Sequence, residues 1–488
     1  MLSFPSGVCY LFSIPRGQCI SHWTVILLLL FLSNLISFWV KRSFTPPPFS
    51  PLFLSPILSQ KMDDKNKKKL DFDTIVVGAG IVGSACAYKI AKTGRRTLLL
   101  EQFPLDHKFG SSHGASRIIR LSHSQPHWVR LAQDAYKEWD QLHELDGGDT
   151  LYIRNGLLTM DNDWSQTRIR ASALGLFGVP HEVFRGGSAI QRRFPHLHNY
   201  DERWSALYEP GGGTILAENC LRTVQKQFLR LGNSLAKIQD NERVLAFVPW
   251  DGGDPSDDGK GNTAANSDEH PLPERQRSFV EVQTTKRKYF AENVVVAAGG
   301  WLSLLLPDLP LRAQPHLIGV NFWRVISNPQ LFQAEANSPN LICLETGKEL
   351  FALPGTDYPN TIKFAVHLGV EVNDLQRRAE LEPPEWAQSL VAQHLARHFP
   401  DVDCTAPVIK DTCIYTMTDD LQFIVDRHPR HKNVFVVGGF SGTGFKFALT
   451  IGTVLAEWAN GEDTPSHIDV SPFRLDRRII ADTNRPKL

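Results

Sequence analysis

Six residues, GAGIVG, constrain this chain more than any others. Gly78, Gly80 and Gly83 lie between a β-branched apolar run at 74–77 and a stretch of small residues at 85–91. That order reads as strand, tight turn, helix. The first glycine permits the turn, the second admits a pyrophosphate close to the backbone, and the third lets helix and strand pack together. The helix start offers free N–H groups and a dipole that favours anions. Gly94 closes the helix, residues 96–100 form a second strand, and Glu101 ends it where an acid can hold a ribose hydroxyl. A doubly wound α/β unit that binds a dinucleotide follows. The motif does not distinguish NAD from FAD, and a glycine turn in an ordinary α/β unit is the plainer alternative.

Composition narrows the rest. The chain has 488 residues, room for two or three domains. Its 52 basic side chains equal its 52 acidic ones, so no global positive field points to nucleic acid. Seven cysteines occur without a CxxC or a metal-type spacing, which argues against a disulfide framework or a metal site. Residues 23–40, WTVILLLLFLSNLISFWV, carry no charge and are just long enough to span a membrane. Basic residues collect after this run, from Lys41 to Lys69, which would leave the bulk of the chain facing the cytoplasm. Met62 opens a stretch that would suit the start of a soluble enzyme, so residues 1–61 equally read as an upstream extension. Residues 251–277, rich in Gly, Asp and Pro, read as a solvated insertion between two hairpin strands.

Three further stretches carry chemistry. In GSSHGASRIIR, residues 110–120, Arg117 and Arg120 are three apart and would share a face on a helical turn. Such a pair can clamp a carboxylate, although an arginine-capped surface turn fits the spacing more simply. In TIKFAVHLG, residues 361–369, a strand would place Lys363, Ala365 and His367 on one face and Ile362, Phe364 and Val366 on the other. A buried lysine must be paired or working, whereas an edge strand with a wet face would need neither. In GGFSGTGFKF, residues 438–447, Gly438, Gly439, Gly442 and Gly444 allow close approach to a flat or charged ligand. Lys446 follows at a helix start, where the dipole disfavours a cation.

Together with CIYTMTDD at 413–420, these motifs resemble the monomeric sarcosine oxidase family in order and spacing, over about residues 71–475. The family includes N-methyltryptophan oxidase and peroxisomal sarcosine and pipecolate oxidases. The resemblance implies FAD, held by a thioether from Cys413 to the flavin 8α carbon. It implies that Lys363 activates oxygen, that Arg120 and Lys446 bind the substrate carboxylate, and that Arg117 packs near the flavin ring. His367 and Tyr415 would line the substrate side. His113 and Ser116 would lie near the cofactor, and the backbone of Val244 would reach adenine. Phe351 stands where the family often has a tyrosine, and the segment 353–361 is one residue longer than the bacterial pattern, so the exact amine is open.

The fold implied is a Rossmann-type FAD-binding domain, residues 71–150, 213–300 and 411–475, interleaved with a smaller sheet-based substrate domain, residues 151–212 and 301–410. The activity implied is oxidation of a secondary amino acid, N-methyl or cyclic, by a monomeric FAD-dependent oxidase that reduces O2 to hydrogen peroxide. A flavin dehydrogenase serving another carrier and an inactive membrane-tethered flavoprotein are the alternatives. The chain's final Pro-Lys-Leu resembles the Ser-Lys-Leu peroxisomal address with proline for serine. A peroxisomal or soluble cytoplasmic location is thus the alternative to a membrane anchor.

Overall fold

The structure, a computed structural model, describes residues 70–250, 278–345, 348–462 and 467–477. The apolar run at 23–40, the insertion at 251–277 and the final Pro-Lys-Leu lie outside the described residues. Among the described residues no helix is long and apolar enough to cross a membrane.

The glycine turn sits at the centre of an eight-stranded sheet. Phe72–Val77 pairs in parallel with Thr97–Leu100 on one side and with Lys288–Val296 on the other. Ala236–Gln239 extends one edge, and His431–Gly438 joins Lys288–Val296 in parallel. At the centre of the sheet these strands carry unbroken apolar runs, at residues 75–77, 98–100, 294–296 and 434–437, because both faces are covered there. Ile75, Val77, Leu98, Leu100, Val294 and Val296 pack into one core. Val76, Leu99, Val295, Phe435 and Val437 pack into the other, against the helices Ile81–Lys92, Pro126–Asp146 and Ala448–Ala459. The strands Val244–Trp250 and Phe279–Thr284, which flank the insertion, form the expected antiparallel hairpin.

A nine-stranded sheet accompanies it, built from residues 157–209 and 314–417. Thr361–Val366 lies inside this sheet, between Gln314–Arg324 and Lys348–Leu353. The wet edge strand is therefore excluded, and the alternation holds: Ile362, Phe364 and Val366 enter the core under the helix Glu385–His398. Lys363 points the other way.

Three expectations need correction. Residues 116–119 form a strand, not a helical turn, because Ser116–Ile119 pairs antiparallel with Gly213–Leu216 and the β-branched Ile118 and Ile119 suit that pairing. The strand carrying Cys413, Ile409–Met417, pairs along Gln314–Arg324 in the nine-stranded sheet, so the passage back to the eight-stranded sheet comes after Met417 rather than at 411. The last helix, Ala448–Ala459, which an amphipathic reading of the residues after the glycine cluster would leave half exposed, is buried on nearly all sides, since it is packed against both Ile81–Lys92 and Pro126–Asp146.

Candidate active site

Two spaces meet at the junction of the sheets. The larger, ≈ 640 Å³, runs along the glycine turn and is lined by Gly78, Gly80, Gly83, Glu101, Val244 and Gly444 among others. The smaller, ≈ 300 Å³, is lined by Ser116, Arg120, Phe351, Lys363, Cys413 and Lys446 among others. His113, Arg117, Tyr415 and Gly442 belong to both walls. Of the glycines in the last cluster, Gly438 and Gly439 line neither space; Gly438 faces Leu302, and Gly439 faces Thr418 and Ile424.

The larger space is shaped by backbone. A Cβ on Gly83 would stand 1.8 Å from the Gly78 carbonyl oxygen, so only glycine lets this helix approach the strand. The helix start at Gly80 has no side-chain cap, although Ser112 Oγ accepts the Ile81 N–H at 3.0 Å. The Glu101 carboxylate accepts N–H bonds from Ala79 at 2.8 Å and Phe103 at 3.1 Å, which fixes it beside the turn. Val244 sits where the hairpin register shifts, before Ala246. A glycine cradle, a helix start whose N-cap is glycine and an acid at the end of the second strand fit the pyrophosphate and ribose of a dinucleotide.

The smaller space is shaped by charge. Lys363, 6% exposed, makes an ion pair with Asp357 at 2.5 Å and donates to Ser116 Oγ at 2.6 Å and to the Ser116 carbonyl at 3.2 Å. Burial pulls the pKa of Lys363 below the ordinary lysine value, against the opposing pull of Asp357. Burial would raise the Asp357 carboxyl, but Lys363 and the hydrogen bonds it receives outweigh that and hold it below its usual value. Lys446, 4% exposed, donates to the Thr443 carbonyl at 3.1 Å, while its own carbonyl accepts the indole N–H of Trp139 at 2.7 Å. Burial, then the nearby Arg120 charge, push Lys446 well below the lysine range. Arg120 donates to the Ser122 carbonyl at 3.0 Å, and the fully buried Glu209 accepts the Leu121 and Ser122 N–H groups at 2.7 and 2.8 Å. Two cations are thus held at one end of the cavity with donors to spare.

Cys413 lines the smaller space from the strand Ile409–Met417. Its thiol is 5% exposed, and burial raises its pKa although Arg117 and Arg378 pull it down. The 110–120 segment is stitched to this strand: Ser111 Oγ donates to the Ile414 carbonyl at 2.5 Å, and His113 lies with one ring nitrogen 2.8 Å from the Gly110 carbonyl and the other 2.9 Å from that of Thr412. Arg117 spends its guanidinium on the carbonyls of Ser111, His113 and Ser116. His367 and Tyr415 pack ring to ring at 5.1 Å, and Phe351 meets His367 edge-on at 6.3 Å. Gly442, at φ +82°, passes under both rings; a Cβ there would lie 2.5 Å from each.

Sequence reading missed Asp357, Glu349 and Glu209, which all act on these cations. The only sign of Asp357 was an acid six residues before Lys363 in a lengthened loop, and proximity across that loop is not visible in spacing.

An open doubly wound sheet with a glycine cradle, joined to a second sheet that closes a charged cavity beside it, defines a dinucleotide-binding protein with a separate cavity for a small charged molecule. Residues 73–458 match the FAD dependent oxidoreductase family, and the chain belongs to it. It is 34% identical to a putative sarcosine oxidase of Caenorhabditis elegans, over 83% of this chain and 98% of the relative. It is 32% identical to the peroxisomal sarcosine oxidase of Homo sapiens, over 83% and 96%. Among solved structures it resembles NikD, an unusual amino acid oxidase, with a TM-score of 0.66 and 21% identity over 83% of this chain and 98% of that one. The glycine oxidase of Geobacillus kaustophilus gives 0.64 and 18% over 84% and 99%. The fold expected from sequence is the fold found, and the cofactor is FAD.

Proposed function

We propose that this protein oxidises secondary amino acids, R–NH–R′ bearing a carboxylate, to the imine, with O2 as the electron acceptor and hydrogen peroxide as the second product. The observation that carries this reading is the gathering of Arg120, Lys446 and Lys363 in one cavity that shares a wall with the dinucleotide cleft. The sarcosine oxidases among its relatives support the substrate class. FAD, when bound, supplies the acceptor for the hydride equivalent from the carbon beside nitrogen.

The chain's own residues supply orientation and charge. Arg120 and Lys446 take the substrate carboxylate by charge-assisted hydrogen bonds, which turns the amine end toward the cleft. His367, Tyr415 and Phe351 bound the space left for the side chain and exclude water from it. Phe351 brings no hydroxyl, so this wall prefers apolar N-substituents or a ring. Lys363 keeps a positive charge where oxygen is reduced and favours the build-up of negative charge there. Cys413 forms the thioether to the flavin, and Arg117 sits beside the ring. Residues 71–150, 213–300 and 418–475 form the FAD domain in this reading, and the enzyme works as a monomer. The naming of the human and mouse relatives supports a peroxisomal site of action.

The test begins with the purified protein precipitated in acid beside Cys413→Ala. Flavin absorbance should stay with the wild-type pellet and leave the variant. A panel of N-methyl and cyclic amino acids with a peroxide readout follows. Substrate-driven flavin reduction without peroxide would favour the dehydrogenase alternative.

A further inference from the structure

We propose that Asp357 is the positioning residue for Lys363: it is the counter-ion that holds the lysine ammonium protonated and fixed against Ser116 at the wall of the active cavity. This rests on the reading of Lys363 as the group that assists oxygen reduction.

The geometry makes the case. An ammonium has three N–H donors. In Lys363 all three are accounted for, by Asp357 Oδ2 at 2.5 Å, Ser116 Oγ at 2.6 Å and the Ser116 carbonyl at 3.2 Å. Both charged side chains are 6% exposed, and both line the cavity. The lysine therefore acts as a fixed charge, not as a mobile donor free to capture a substrate carboxylate; that task is left to Arg120 and Lys446. Two other acids line the cavity, Glu349 on the adjoining strand Lys348–Leu353 and Asp411 on Ile409–Met417, but among the described residues Asp357 alone is within ion-pair distance of Lys363. Its own strand brings no other charge; the neighbouring strand Gln314–Arg324 brings the Phe322 ring at 5.4 Å, and Ser116–Ile119 brings Arg117, which repels it. The Ile409–Met417 strand brings Cys413, whose thiol burial keeps protonated and which the proposed thioether would remove as a charge altogether. A desolvated lysine without a partner gives up its proton.

Asp357 also sits opposite in sign to the charge it maintains. Replacing it has two consequences that a purely structural role lacks. The lysine loses its proton at lower pH, and wherever it stays protonated its field is less compensated. The rate of the oxygen half-reaction against pH should therefore move toward acid instead of falling uniformly.

The experiment uses the holoenzyme with Asp357→Asn, Asp357→Glu and Lys363→Met. The substrate-reduced enzyme is mixed with O2 across pH, and the lysine side chains are titrated in parallel by 13C NMR, with the Lys363 signal assigned by its absence in Lys363→Met. For Asp357→Asn both midpoints should fall by about 1–3 pH units, the usual effect of losing an opposite charge at contact distance. The acid limb should be at least as fast as in wild type, and Asp357→Glu should return both midpoints most of the way. A uniform drop at every pH, or an NMR midpoint that stays in place, overturns the proposal. If Lys363→Met reoxidises as fast as wild type, the oxygen role of Lys363 is overturned instead. The NMR titration separates that result from a failure of the pairing.

Discussion

The cleft and the cavity share a wall but are made of different material. The cleft is backbone: its turn, helix start and close strand contacts come from glycines that leave no room for a Cβ. The cavity is side-chain charge: Lys363, Arg120, Lys446, Asp357 and Glu349 reach it from different strands and loops and hold one another electrostatically. A backbone site tolerates no added atom, whereas a charge site tolerates change of shape and fails when its balance of charge is altered.

The sharpest way to break that contrast is Gly83→Val. Its Cβ would meet the Gly78 carbonyl oxygen at 1.8 Å, and backbone cannot step aside as a side chain can. We expect a loss of about 3 kcal/mol in urea denaturation, at the top of the usual overpacking range. Flavin content, read as the flavin-to-protein absorbance ratio, should collapse with it. A variant that folds and holds flavin normally would erase the distinction.

Arg120→Met tests the other side. Removing one cation from a desolvated carboxylate site should raise KM for an N-methyl amino acid by about 100-fold, while flavin content stays near wild type. Loss of flavin in this variant would mean that the two spaces are not energetically separate.

The smaller effect is a pH dependence at Lys446. Burial and Arg120 hold its pKa well below that of an ordinary lysine. A bound carboxylate favours the ammonium, so above the free-state pKa binding must take up a proton and affinity falls as pH rises. Acetate inhibition should weaken in that direction at a pH below the lysine range, and Lys446→Met should flatten the profile with about a tenfold weaker affinity at its acid end. An unchanged slope would place the titrating group elsewhere.

The same contrast governs what could be read from the sequence. The cleft was legible because its requirements are local: Gly78, Gly80, Gly83 and Glu101 fall within one strand–turn–helix–strand unit. The cavity was legible only through resemblance to a family, because Arg120, Lys363 and Lys446 come from a loop, a strand and a short helix that lie far apart in the chain. Where resemblance was silent, as at Asp357 and Glu209, nothing in the local pattern replaced it. The helical turn expected for Arg117 and Arg120 failed for the same reason: a four-residue strand is decided by its partner Gly213–Leu216, not by its own spacing.

The eight-stranded sheet takes its strands from three separated parts of the chain, at 72–100, 236–296 and 424–438, and the helix Ala448–Ala459 then covers Ile81–Lys92. On a ribosome the first strands emerge long before their last neighbours. Ala217–Arg230 can cover one side of the opening helix by mid-chain, but the side that Ala448–Ala459 covers must wait until nearly the whole chain has been synthesised. Closing such distant contacts is slow, and the exposed intermediate invites aggregation. Chaperone dependence during synthesis, and little recovery on refolding after denaturation, are therefore built into the order in which this chain visits its sheets.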